Sequence, residues 1–280
     1  ATTSIVGDIT AVVGGDDIVL TTLVGPDGDS HTHEASDADA RALAEADLIV
    51  ENGRGLEPFL DDLVATSGSE AARVALSAGI TLADVPAILD DGRAVAPEHG
   101  VRDDPHVWQS PWSARRMARA VQTALAEADP EHVGEYAARA RTYEAQLEEL
   151  EREIADLLDD VPVERRLLVT GHDGFAYFAR AFGFTLVGAA APGTAESGHR
   201  AASRRAARLV RAIRASGAPV IFADNTTAEV LVADIAEAAD VSVGGELYAD
   251  ALGGADSGAA DYPAMLLHNA ETIREALVDG

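Results

Sequence analysis

The chain has 280 residues, and its 48 acidic side chains outnumber its 21 cationic ones, giving a formal net charge of −27. Such an anionic surface repels phosphate backbones and anionic lipid, which excludes proteins that bind nucleic acid or membranes through a basic patch. A hydrophobic content of 47% excludes intrinsic disorder, and the absence of cysteine excludes disulfides and thiolate metal sites. All 21 cations are arginine, and this acidic, lysine-free composition predicts a halophilic protein.

Short strands and helices alternate through the first third of the chain. Runs of β-branched residues indicate strands, and the Gly-Gly-Asp-Asp segment at residues 14–17 has the composition of a turn. Alternation of this kind is typical of parallel sheets covered by helices, which bind ligands at the carboxyl ends of their strands. We predict strands over residues 2–6, 18–24, 48–50 and 73–76, and a helix over residues 36–45.

The pattern becomes helical in the middle of the chain. A first helix is expected over residues 113–128, and Asp129 followed by Pro130 has the form of an N-cap and a first helical position. Apolar residues at intervals of three and four then continue over residues 131–158, which is about seven turns and about 40 Å of helix. A helix of that length is suited to running along two lobes, and Pro162 ends it.

The alternating pattern returns in the last part of the chain. We predict strands over residues 167–170, 185–187, 220–223 and 241–243. The expected fold class is therefore α/β, with two lobes of parallel β-sheet flanked by helices and joined by a single long α-helix. The N-terminal lobe is placed at residues 1–112, the helical region with the linker helix at residues 113–160, and the C-terminal lobe at residues 161–280.

Eight histidines are present, and three of them lie in or near loops. His31 and His172 both follow predicted strands, and His106 lies in a loop stiffened by a preceding proline. A further polar loop, after the last predicted strand, offers Asp250. We interpret the histidines at 132, 199 and 268 as ordinary surface or helix residues.

The four candidates fall two in each lobe, at separations of 75, 66 and 78 residues, so a site that uses all of them lies in the cleft. No local metal motif has such spacings. Imidazole with one carboxylate suits Zn²⁺, Mn²⁺ or Fe²⁺ rather than Ca²⁺ or Mg²⁺. Four protein ligands fill a tetrahedral zinc shell, which favours capture of the ion. A metal-dependent hydrolase, with Asp250 or Asp173 as its base, stays open as the alternative.

Several segments resemble the metal-binding solute-binding proteins of zinc and manganese ABC importers, the cluster A-I family. The most specific of these segments is Asp104-Pro105-His106-Val107-Trp108. The resemblance covers nearly the whole chain, and residues 2–9 are similar to the family's first strand. The other similar segments are residues 43–59, 170–178 and 248–250.

By position, the resemblance implies that His31, His106, His172 and Asp250 bind the metal. It implies a receptor rather than an enzyme, which binds zinc, or manganese as the alternative, and delivers it to the permease of an ABC importer. We expect an extracytoplasmic monomer at the cell surface, lipid-anchored through a segment absent from this chain, with no nucleic-acid partner. An adhesin or metal sensor on the same fold stays open as a second alternative.

The chain departs from the family pattern at three points. His33 stands where the family usually has tyrosine, and His31 is favoured over it as the ligand. Of the long His-rich loop of zinc-specific members, only His99 stands near the expected place. The third ligand is His172 rather than the glutamate of many manganese-type members, and three histidines with one aspartate favour zinc.

Two further expectations concern the imidazoles. Asn52 or Glu51, at the end of a predicted strand, is a candidate for fixing the orientation of one ring. Because each ligating histidine must be neutral, metal affinity is expected to fall below the ordinary imidazole pKa near ~6.5.

Overall fold

The structure is a computed structural model that describes residues 1–84, 104–191 and 199–278. Nine α-helices and six β-strands occur within these ranges. The helices are α1 (Ser4–Gly14), α2 (Asp37–Glu45), α3 (Leu60–Ser67), α4 (Pro111–Ala128), α5 (Val133–Asp159), α6 (Ala176–Ala181), α7 (His199–Ser216), α8 (Glu229–Ala239) and α9 (Tyr262–Val278). The strands are β1 (Leu48–Glu51), β2 (Ala72–Ala75), β3 (Leu167–His172), β4 (Thr185–Ala191), β5 (Val220–Asp224) and β6 (Ser242–Leu247).

The strands form two parallel sheets, one before and one after the long helix α5 in sequence. Strand β1 pairs with β2, with Leu48 opposite Ala72, and the other four strands lie in the order β4-β3-β5-β6. Parallel neighbours need crossover connections, and α7, α8 and α9 supply them or pack against the second sheet. The predicted α/β class, with two lobes joined by one long helix, is confirmed.

Helix α5 has the predicted length and a slightly later start. It contains 27 residues and therefore spans about 40 Å. Asp129 accepts a hydrogen bond from the backbone N–H of Glu131 at 3.2 Å, but the turn that it caps, Pro130–His132, is a 3₁₀ helix. The α-helical backbone begins only at Val133.

The strands predicted over residues 2–6 and 18–24 are wrong. Residues 4–14 form α1 instead, and the Thr3 side chain caps it by accepting a hydrogen bond from the N–H of Val6 at 3.2 Å. Burial of the helical apolar face against α4 and α5 outweighs the preference of β-branched residues for strands. The strand pattern survives as a single parallel bridge between Thr3 and Val24. The buried face consists of Ile5, Val6, Ile9 and Val13.

The other predicted elements are confirmed, with small shifts of their ends. Helix α2 begins at Asp37, and Ser36 and Asp39 form a capping box at its start. The strand predicted over residues 73–76 is β2, one residue earlier, and the strand predicted over residues 241–243 is β6, which runs on to Leu247. No helix in the described ranges is both long and apolar enough to cross a bilayer.

One hydrophobic core runs through both lobes. It joins side chains of α1, α4, α5, β3, β5 and α9, with Trp108, Tyr143 and Phe222 among its largest members. Polar contacts reinforce it between the two ends of the chain. The Ser4 hydroxyl accepts a hydrogen bond from the N–H of Leu252 at 3.0 Å, and Asp8 accepts one from the N–H of Tyr262 at 3.1 Å. The shared core and these hydrogen bonds connect the two lobes.

Candidate metal centre

Three histidines and one aspartate from four separate segments meet at one point. His31 lies in the loop before α2, His106 in the loop before α4, His172 at the end of β3, and Asp250 in the loop after β6. Each residue offers one nitrogen or oxygen atom, and these four atoms lie within 4.8 Å of one another. Among the described residues this is the one such group of three or more potential ligands.

Asp250 lies in the middle of this group. Its Oδ2 is 3.4 Å from His31 Nε2 and 3.1 Å from His172 Nε2. Its Oδ1 is 3.3 Å from His106 Nε2, and the Nε2 atoms of His106 and His172 are 3.0 Å apart. One ring nitrogen of each imidazole therefore faces the carboxylate.

The group is shielded from solvent. Asp250 and His106 are each 1% exposed, and the side chain of His31 is 14% exposed. The contacts are not aligned as hydrogen bonds, so both carboxylate oxygens and His31 Nε2 lack a partner among the described residues. A buried carboxylate without an aligned hydrogen bond is costly, and a bound metal ion removes that cost. Three imidazole nitrogens and one carboxylate suit a divalent transition-metal ion.

The charges of the group are mutually dependent. Burial alone raises the pKa of Asp250, but the imidazoles of His172 and His106 outweigh it and hold that pKa well below its usual range. Burial likewise opposes a raised pKa at His106 and His172, yet the Asp250 carboxylate raises both. Burial lowers the pKa of His31. The carboxylate is therefore ionised, and protons compete with a metal ion for two of the imidazoles.

A short turn orients His106. Asp104 Oδ1 accepts a hydrogen bond from the backbone N–H of His106 at 2.9 Å and lies 2.7 Å from its Nδ1. Donation from Nδ1–H to this carboxylate leaves Nε2 as the free acceptor that faces Asp250. Sequence reasoning did not assign a role to Asp104, although a carboxylate two residues before a candidate histidine is a recognisable signal.

The structure brings His31, and not His33, into the group. The Asp29 carboxylate accepts a hydrogen bond from the N–H of His31 at 2.8 Å and so shapes its loop. His33 Nε2 lies 3.2 Å from Asp39 Oδ2, and its ring packs edge-on against Phe59, away from the group. His99 lies outside the described residues.

The two candidates for orienting an imidazole behave differently. Glu51 forms an ion pair with Arg73 at 2.6 Å and takes no part in the group. Asn52 Nδ2 donates to the carbonyl of Pro105 at 3.0 Å, so it acts on the backbone beside His106 rather than on a ring.

Two of the histidines interpreted as ordinary are also apart from the group. His132 lies 2.6 Å from Asp129 between α4 and α5, and His268 Nε2 lies 3.1 Å from the carbonyl oxygen of Glu246. His199 begins α7.

Comparison with known proteins finds metal-binding proteins that are similar over the whole length of this chain. The manganese-binding lipoprotein MntA of Bacillus subtilis is 28% identical over 99% of this chain and 88% of its own length. The zinc-binding protein TroA of Treponema pallidum is 30% identical over 99% of this chain and 87% of its own length. The solved structure of TroA covers 99% of this chain and 97% of its own with a TM-score of 0.86. A manganese-bound periplasmic metal-binding protein from candidatus Liberibacter asiaticus, 26% identical, gives a TM-score of 0.84 over the same shares.

A family match covers almost the whole chain. Residues 1–276 match the family described as zinc-uptake complex component A, periplasmic. The solved structure of TroA likewise covers 99% of this chain. The chain therefore belongs to the zinc-uptake component A family, the periplasmic metal-binding receptors of ABC importers, and is a binding protein rather than an enzyme.

Proposed function

We propose that His31, His106, His172 and Asp250 bind one divalent transition-metal ion, which is the cargo that this receptor delivers to its importer. The convergence of their four ligand atoms within 4.8 Å, in a buried site, carries the proposal. Four protein ligands fill a tetrahedral shell and leave no position for a reacting water, which suits capture and release.

Zinc is the proposed cargo, with manganese as the alternative. Three neutral imidazoles and one carboxylate are a donor set that binds Zn²⁺ more strongly than Mn²⁺ in the Irving–Williams order. The relatives include proteins named for zinc and for manganese, so the donor set rather than the family supports this choice.

Capture depends on the loss of protons and on loops from both halves of the chain. A metal ion displaces the protons that Asp250 holds on His106 and His172, so binding releases protons. The ion then holds together segments on either side of α5 and stabilises the folded protein by mass action, by about 2.7 kcal/mol at a free metal concentration of 100 Kd.

The location and partners of the receptor follow from its family. We propose that it works outside the cytoplasmic membrane as a lipid-anchored monomer at the cell surface, presents the ion to the permease and has no nucleic-acid partner. The name of the Bacillus relative describes that protein as a lipoprotein. We also propose the division into residues 1–112, 113–160 and 161–280, since the two parallel sheets fall on either side of α5.

The test is metal content combined with competition. Purified protein, stripped with a chelator and then given equal Zn²⁺ and Mn²⁺, is expected to retain one Zn²⁺ per chain and to melt at a higher temperature. Retention of Mn²⁺ over Zn²⁺ would overturn the choice of zinc. A melting temperature that neither ion changes would overturn the metal site itself. Permease and ATPase genes beside its own would favour transport over an adhesin or sensor.

A further inference from the structure

The chain contains three asparagines, and all three bond to the backbone within two residues of a proposed ligand. Asn52 donates to the carbonyl of Pro105, the residue before His106, at 3.0 Å. Asn269 binds both polar backbone groups of Tyr248, accepting from its N–H at 2.8 Å and donating to its carbonyl at 2.8 Å. The third, Asn225, directly follows β5 and faces the loop that carries Asp250.

Asn225 contacts the backbone on both sides of Asp250. Its Oδ1 accepts a hydrogen bond from the N–H of Ala249 at 3.2 Å, and its Nδ2 donates to the carbonyl of Ala251 at 3.4 Å. The residue between these two contacts is Asp250, whose position is therefore bracketed by one side chain. An asparagine supplies a donor and an acceptor in one planar group, which is what a bracket of this kind requires.

The other side of the same loop is fixed by the segment that carries His106. Trp108 Nε1 donates to the carbonyl of Ala249 at 2.9 Å, and Gln109 Nε2 donates to the same oxygen at 2.9 Å. The loop has no strand or helix of its own, so side chains satisfy backbone groups that secondary structure would otherwise pair. The Asp250 loop thus bonds to Asn225 on one side and to the His106 segment on the other.

The two hydrogen bonds of Asn225 oppose a movement of the Asp250 carboxylate away from the imidazoles. Asp250 is 1% exposed, carries a charge, and has no aligned hydrogen bond among the described residues. Without a metal ion, such a carboxylate gains aligned hydrogen bonds by turning toward water or toward a new donor. Bonds to the backbone on both sides resist that movement and keep the carboxylate facing the three imidazoles.

We propose that Asn225 is a positioning residue for metal capture, which holds the Asp250 carboxylate in its binding geometry through the backbone of Ala249 and Ala251. This inference rests on the proposed ligand set. Asn225 does not touch the ion, and its contribution is to spare the ion the cost of ordering the loop.

The test compares Asn225→Ala with Ser257→Ala as a matched control. Ser257 also brackets backbone in the same β6–α9 connection, since its hydroxyl donates to the carbonyl of Gly254 at 2.7 Å and accepts from the N–H of Ala259 at 3.2 Å. It flanks no proposed ligand. Three properties are measured for each variant: the Zn²⁺ Kd by chelator competition, the visible absorption of the Co²⁺-loaded protein, and the melting temperature of the metal-free protein.

Asn225→Ala is expected to weaken Zn²⁺ binding by about 10–100-fold and to alter the Co²⁺ spectrum, as for other residues that orient a metal ligand. Ser257→Ala is expected to lower the melting temperature without changing either metal readout. If Asn225→Ala does not fold, Asn225→Ser, which keeps a polar group at the position, is compared with Ser257→Ala in the same three measurements.

The outcomes separate this inference from the proposed function. If Asp250→Ala loses Zn²⁺ binding while the Asn225 variant binds within twofold of the parent protein, the ligand set stands and the positioning role is overturned. The positioning role is also overturned if Ser257→Ala weakens binding as much as Asn225→Ala. If Asp250→Ala binds Zn²⁺ as tightly as the parent protein, the proposed ligand set itself is wrong.

Discussion

Removing the carboxylate that orients His106 gives the sharpest test of how the centre is built. Asp104 Oδ1 contacts both the backbone N–H and the Nδ1 of His106, at 2.9 and 2.7 Å. Asp104→Ala removes both contacts, while Asp104→Asn can keep an oxygen in place and removes only the charge. Loss of a group that orients a metal-bound histidine usually weakens binding about 10–100-fold, which is about 1.4–2.7 kcal/mol.

We therefore expect Asp104→Asn near the lower end of that range and Asp104→Ala near the upper end. The assay is the Zn²⁺ Kd by chelator competition at pH 7.5, with Asp84→Ala as control. Asp84 also accepts two hydrogen bonds, from the N–H and hydroxyl of Thr81 at 3.1 and 2.6 Å, and it is not part of the four-residue group. Asp84→Ala therefore removes the same negative charge as Asp104→Ala without removing a contact to His106. An Asp104→Ala protein that binds Zn²⁺ within twofold of the Asp84→Ala control would refute the reasoning.

The remaining predictions concern ligand identity, pH and salt. His31→Ala is expected to abolish tight Zn²⁺ binding and His33→Ala to leave the Kd within twofold, because His31 faces Asp250 and His33 does not. Equal losses of Zn²⁺ affinity in the two variants would contradict this. Burial raises the pKa of Asp8 to about 6 in the folded protein, against an ordinary 3.8. The native state therefore holds a proton that the unfolded chain has lost, and stability falls as pH rises from about 4 to about 6, by up to about 3 kcal/mol. Asp8→Asn is expected to remove that decline in urea unfolding at pH 4 and 7, and an unchanged decline would count against it. Raising KCl from 0.1 to 2 M is expected to raise the melting temperature, since salt screens the repulsion within a chain of net charge −27; a fall would reject the halophilic interpretation.

Periodicity predicted most of the fold because the elements concerned are long or strongly apolar. The 27 residues of α5 give many turns of apolar spacing, and the strands of the second sheet lie between clear turn signals. Helix α1 could not be predicted in the same way. Its β-branched residues also fit a strand, and only packing against α4, α5 and α9 decides for the helix.

The candidate ligands could be predicted from the sequence, but the residues that hold their loops in place could not. Three histidines and one aspartate in loops after strands or beside a proline are visible as residue types in suggestive positions. His31 stays the predicted ligand rather than His33, which contacts Asp39 and Phe59 outside the four-residue group. The roles of Asn225, Asn269 and Gln109 depend on contacts across 24, 21 and about 140 residues, and no local pattern encodes such contacts.

The contacts between the two ends of the chain bear on the order in which the protein can fold. Ser4 and Asp8 bond to residues far along the sequence, since their partners Leu252 and Tyr262 lie 248 and 254 positions later. Contacts of such high sequence separation form late and make folding slow, because closing so long a loop costs chain entropy before the contact is made. Helix α1 consequently lacks its final packing until α9 is in place. The first half of this receptor is therefore not expected to reach its native structure ahead of the second.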